Sequence, residues 1–184
     1  MHIPPRDSDG LWNAVVETPR GVRHKFKYDP KLHIFSLHRT LPEGMAFPYD
    51  FGFLPGTRGE DGDPLDVLLL LRDPTFCGCV VPAHLIGVIE AEQREQDGEK
   101  ERNDRLVAIP DSLRKRDKTR SAKDLNSAVV KEVEAFCKNY NALDGKRFEV
   151  LAVRGPDSAE KLAKDRTTPG IPRDSTVNEV FSPK

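Results

Sequence analysis

The first half of the chain reads as strands and turns, with apolar residues spaced for elements that bury one face. Short strands are predicted over Leu11 to Glu17, Val22 to Tyr28 and Leu32 to His38, parted by the turn signals Pro19-Arg20-Gly21 and Asp29-Pro30. Further strands are predicted at Val67–Leu71, around Leu85–Ala91, at Arg105–Ile109 and at Phe148–Val153. A helical period is carried by Leu125, Val129, Val133, Phe136 and Tyr140, which share one face, with Lys131, Glu132, Lys138 and Asn139 elsewhere. Ser121 or Asp124 suits its start, and Gly145 lies just past its end. A shorter helix is predicted near Ser158–Lys164.

Other stretches break both periods. From Leu41 to Gly56, prolines remove backbone donors and glycines loosen the chain, which excludes a regular helix. Its aromatic residues still need packing partners, so the stretch is expected to be an ordered, irregular wall of a cleft. Glu92 to Asp104 reads as a charged connection, and Arg114 to Lys123 as a solvated basic loop balanced by the acidic stretch before it. The tail from Thr167 is irregular, with Val177, Val180 and Phe181 available for a docking turn. Many short strands and few helices predict an α+β, mainly-β fold: a small closed OB-like five-stranded barrel with flanking helices. With 184 residues, a single domain over 1–184 is expected, its core at about 11–165 and its tail at 167–184.

Composition narrows the function classes. A net charge of −1 lacks the basic signature of a nucleic-acid binder. No apolar run is long enough to cross a bilayer, and the first residues lack the apolar core of a secretion signal, so a cytoplasmic location is expected. Cys77-Gly78-Cys79 has no second Cys/His pair nearby, and small buried thiols are a better reading of the cysteines than a zinc site.

Chemistry concentrates at Asp61-Gly62-Asp63-Pro64-Leu65-Asp66, which sets three carboxylates within six residues before an apolar strand. Such anions repel one another unless water or cations screen them, and oxygen ligands on a stiffened turn suit hard divalent metals. A plain turn of Asp, Gly and Pro is the competing reading. An EF-hand loop fails, because Leu65 stands at position five and Asp66 where its glycine belongs. Elsewhere, Glu17 ends a strand, Lys25 and Lys27 alternate with Phe26 and Tyr28 and are expected on one face, and Arg39 follows another strand. Asp97-Gly98 fits a hairpin turn as well as a ligand position.

Together these residues resemble the soluble family I inorganic pyrophosphatases. The family's Asp-x-Asp-Pro-x-Asp signature stands as Asp61, Asp63, Pro64 and Asp66; Phe47-Pro48-Tyr49-Asp50-Phe51-Gly52-Phe53 is similar to its aromatic-Pro-x-x-Tyr-Gly-aromatic stretch. Val15-Val16-Glu17-Thr18-Pro19, Leu106-Val107-Ala108-Ile109-Pro110 and Lys123-Asp124-Leu125-Asn126 follow the family order, so the likeness runs from about Leu11 to Val153. It implies hydrolysis of pyrophosphate with Mg²⁺, Asp61, Asp66 and Asp97 as metal ligands and Asp63 as the base for the attacking water. It further implies Lys25, Arg39, Arg105 and Tyr140 at the phosphates, Glu17 behind the metals through water, and homo-oligomers, usually hexamers.

Several positions depart from the family pattern. Lys27 stands where the family has a glutamate, Phe51 where it has a phosphate-binding tyrosine, and Asn141 where it has a lysine. Asn103 and Arg105 replace an aspartate and a lysine, with Asp104 between them as a possible substitute ligand. These changes imply weakened or altered activity, or else a related protein that acts on another phosphoanhydride or binds phosphate ligands without turnover.

Overall fold

The computed structural model describes residues 3–94, 98–114, 121 and 127–168. The elements are β1 (Trp12–Thr18), β2 (His24–Asp29), β3 (Ile34–Thr40), β4 (Asp50–Phe53), β5 (Asp66–Leu69), β6 (Val80–Arg94), β7 (Lys100–Arg102), β8 (Arg105–Pro110), α1 (Asp111–Arg114), α2 (Ser127–Ala142), β9 (Arg147–Arg154) and α3 (Pro156–Asp165). Five strands close a ring in the order β1-β4-β5-β8-β6, with β6 returning to β1. All neighbours in the ring are antiparallel except β5 and β8, which run parallel. Strands β7 and β9 extend from β6, and β2–β3 form a separate hairpin. This mainly-β fold with a closed five-strand ring and flanking helices matches the sequence expectation.

Both faces of the ring strands are covered, which explains the continuous apolar run after Asp66. Val67 and Leu69 join Leu106 and Ala108 in one cluster, against Ala159 and Ala163 of α3. Leu68 joins Val107 and Ile109 in the other, against Val133, Phe136 and Cys137 of α2. The alanines let α3 lie close to the strands, and Pro156 at its start fits where no amide partner is needed.

Three expectations need correction. The stretch Leu41 to Gly56 contains strand β4, paired with both β1 and β5. Gly52 permits this, because a Cβ there would fall 2.1 Å from the Val15 carbonyl oxygen. Strand β6 runs for 15 residues, well beyond Leu85–Ala91, because it pairs in succession with β1, β8, β9 and β7. The charged connection holds β7, whose pairing with β6 tolerates alternating charges on exposed faces. Asp97, Asp124, Leu125 and the tail beyond Thr168 lie outside the described residues. Among the described residues, no helix is long and apolar enough to cross a membrane.

Candidate active site

The acidic turn is pinned from below. The buried Thr57 hydroxyl donates to the Leu54 carbonyl at 2.6 Å and accepts the Leu65 amide at 2.9 Å. Above it, the Gly59 amide donates to the Asp63 carbonyl at 2.7 Å, and the Asp63 amide to Asp61 Oδ1 at 3.0 Å. Gly62 takes φ +87°, a left-handed conformation that closes the turn. The end of α3 braces one side: Arg58 N–H donates to the Arg166 carbonyl, and Arg166 pairs with Glu60 at 2.7 Å. Asp66 then opens β5, and the parallel register of Val67 with Leu106 sets it beside Arg105 at the start of β8. The Arg105 guanidinium pairs directly with Asp66.

The β2–β3 hairpin supplies the facing wall. It docks on β1 through side chains: Glu17 Oε1 accepts the Tyr28 amide at 2.9 Å, and the buried Thr18 hydroxyl accepts the Phe26 amide at 3.1 Å. Between the Lys25–Arg39 and Phe26–Leu37 pairs, β3 carries the extra residue His38 as a bulge. Lys25 lies over the Tyr140 ring at 5.1 Å and Lys27 donates to Asp63 Oδ2 at 2.9 Å, and both lysines act on Glu17 and His38. Arg39 also lies over Tyr140, at 5.4 Å, and is held by Asp144. Tyr140 is set by α2, stacked on Phe136 at 5.8 Å and beside Phe47 at 6.0 Å.

Electrostatics divide the two walls by sign. Burial raises the Glu17 carboxyl, and the nearby Asp66 adds to the shift. Burial likewise raises Asp61, reinforced by Asp63 and Asp66. On the opposite wall, burial together with Lys25, Arg39 and Lys27 lowers the His38 imidazole. The cleft thus has an anionic floor and a cationic lip, joined where Lys27 meets Asp63.

Hard carboxylate oxygens on the floor have the chemistry of a divalent-cation site. Among the described residues no three His, Cys, Asp or Glu side chains converge on one point. Mg²⁺ asks for less, since it keeps several waters and takes one or two carboxylates plus substrate phosphate. Asp61 and Asp66, which border one cleft, are two such carboxylates, and Glu17 lies near enough for Asp66 to raise its pKa.

Other positions resolve differently from the sequence reading. Asp97 lies outside the described residues. Asp104 accepts the Ala91 amide at 2.9 Å and pairs with Arg102 at 2.8 Å, although it borders the same small open cleft as Asp61 and Asp66. Asn103 bonds Gln93. Asn141 is buried and donates to the Cys137 carbonyl at 2.8 Å, so it faces the protein interior. Phe51 packs against Phe47 and Phe136. Burial pushes the Cys77 thiol up to about 11, the state of an inert thiol.

Two residues escaped the sequence reading. Asp50 is buried and accepts the Arg20 and Thr75 amides at 2.7 and 2.9 Å, fixing the loops that follow β1 and β5. Asp144 orients Arg39 from the turn after α2, and a single carboxylate before Gly145 gave no signal of that.

The inorganic pyrophosphatase family model matches residues 14–168. An inorganic pyrophosphatase of Geobacillus stearothermophilus is 36% identical over 150 residues, covering 81% of this chain and 87% of the relative. The crystal structure of inorganic pyrophosphatase from Thermus thermophilus superposes with TM-score 0.80 at 30% identity, covering 90% and 94% of the two chains. One from Neisseria gonorrhoeae gives TM-score 0.78 at 33% identity, with 90% and 94% covered. Matches of this length, agreeing in sequence and in fold, show that the chain belongs to the inorganic pyrophosphatase family.

Proposed function

We propose that this chain hydrolyses inorganic pyrophosphate to two phosphates with Mg²⁺. The observation that carries the reading is the carboxylate turn of Asp61, Asp63 and Asp66 together with a separate cationic cluster of Lys25 and Arg39 on the Tyr140 ring, in a chain of this family. Bound Mg²⁺ would supply charge neutralisation for a highly anionic substrate and acidify the attacking water. Asp61 and Asp66 would hold it, with Asp97 as a further ligand and Glu17 behind them through water. Asp63, oriented by Lys27 on its Oδ2, accepts the proton of the attacking water. Lys25 and Arg39 bind nonbridging phosphate oxygens, Arg39 as a fork preset by Asp144 and Lys25 as a point charge. Tyr140 positions both cations against its ring and offers its hydroxyl to the same phosphate. Arg105 reaches the substrate end of the cleft through Asp66, whose carboxylate it steadies.

The inward turn of Asn141 removes it from the phosphates, so it gives no support to another substrate. The same reading includes a single domain, a cytoplasmic site of action and association with further copies of the chain, six by resemblance. Sedimentation of the purified chain checks the last of these. The enzymatic claim is tested by phosphate release from Mg-pyrophosphate by the parent and by Asp63→Asn. Loss of a general base lowers kcat by about 10²–10⁴-fold; equal kcat in the two proteins would remove Asp63 from that role.

A further inference from the structure

We propose that Lys27 is a resident counter-ion of the acidic turn, occupying charge space there and so weakening divalent-cation binding to the turn. The inference rests on the pyrophosphatase reading of the site and concerns how much metal this chain demands. Its ammonium contacts Asp63 at 2.9 Å from the opposite wall. Lys27 reaches across from β2, the strand whose Lys25 lies over Tyr140. Lys27 also feels Glu17 and Asp61, so it acts on the whole anionic floor.

Stability gives no reason for this pair. The two side chains are 49% and 59% exposed, and ion pairs so exposed contribute little to folding. Its effect is on the field at the turn. Arg105 treats Asp66 in the same way, so two of the three carboxylates of the turn already have a cation partner. Asp61 has none among the described residues; its Oδ1 accepts only a backbone amide. A divalent ion entering at Asp61 and Asp66 meets the Lys27 charge held on the neighbouring Asp63. One positive charge about 6 Å from a divalent ion, in a water-like dielectric, changes affinity by about tenfold.

The test is calorimetric titration of the full chain with Mg²⁺ alone, without substrate, for the parent, Lys27→Gln and Lys27→Arg. Lys27→Gln is expected to bind Mg²⁺ about tenfold more tightly, with an unchanged melting temperature in chelator. Lys27→Arg keeps the charge and is expected to retain the parent affinity. Equal or weaker binding by Lys27→Gln overturns the proposal, and so does tighter binding shared equally by Lys27→Arg. A parent that releases no phosphate from pyrophosphate would defeat the hydrolase reading instead, while these affinities would still decide the role of Lys27.

Discussion

Replacing Gly52 by alanine tests how tightly the ring holds the site. The new Cβ would lie 2.1 Å from the Val15 carbonyl oxygen and 2.9 Å from its carbon. Carbon and oxygen need roughly 3.2 Å, so β4 must retreat from β1 by about 1 Å. Overpacking of this kind costs about 1–3 kcal/mol, and the obstacle here is backbone, which places it near 3. At about 2–4 °C per kcal/mol for a chain of this size, the melting temperature falls by roughly 6–12 °C. The shift also reaches the chemistry. Gly52 lies opposite Val16 in β1 and Val67 in β5, next to Glu17 and Asp66 in turn. A misplacement of about 1 Å in a catalytic constellation can cost up to about 10²-fold in rate. Differential scanning calorimetry and phosphate release at 25 °C, where the variant is still folded, read both effects. A melt within about 2 °C of the parent would refute the reasoning.

Glu17→Gln is expected to raise the melting temperature at pH 7 in chelator and to lower turnover. The folded-state pKa of Glu17 is raised above 4.5 by burial, so the native chain loses stability as pH rises from that value through the shifted one. Glutamine removes that loss and keeps the bond to the Tyr28 amide; a lower melt at pH 7 would contradict this account. Asp144 has the opposite sign, because its hydrogen bond with Arg39 lowers its pKa. Its contribution is present above 3.8 and fades as pH falls through the lowered value, so Asp144→Asn should flatten the acid limb of a pH–stability curve by under about 1 kcal/mol. Tyr140→Phe should cut kcat/KM at least about tenfold, the loss of one hydrogen bond to a charged oxygen, with an unchanged melt because the ring keeps Phe136 and Phe47. An unchanged kcat/KM would exclude the hydroxyl from phosphate binding.

Legibility in the sequence followed the range of the forces involved. β1, β8, β9 and α2 were readable because their own apolar spacing already matches the face they bury. β4 was hidden among prolines and aromatics, and its place depends on Gly52 meeting a distant strand. The length of β6 depends on four partners that no local window contains. The acidic turn was legible because Asp61, Asp63 and Asp66 are close in sequence, and a stiff turn keeps them close in space. Their partners were not. Lys27 reaches Asp63 only because the β2–β3 hairpin docks on β1 through Glu17 and Thr18, and Arg105 reaches Asp66 only through the parallel register of β5 and β8. Asn141 looked like a cleft residue beside Tyr140, yet one further step of 100° around α2 turns it onto the helix backbone.

Phosphate release from pyrophosphate by the parent chain, measured in Mg²⁺ and again in excess chelator, tests the central claim most directly. The account predicts turnover that rises with Mg²⁺ and disappears when the cation is removed. Absence of phosphate release at any Mg²⁺ concentration, from a chain shown to be folded, would contradict it.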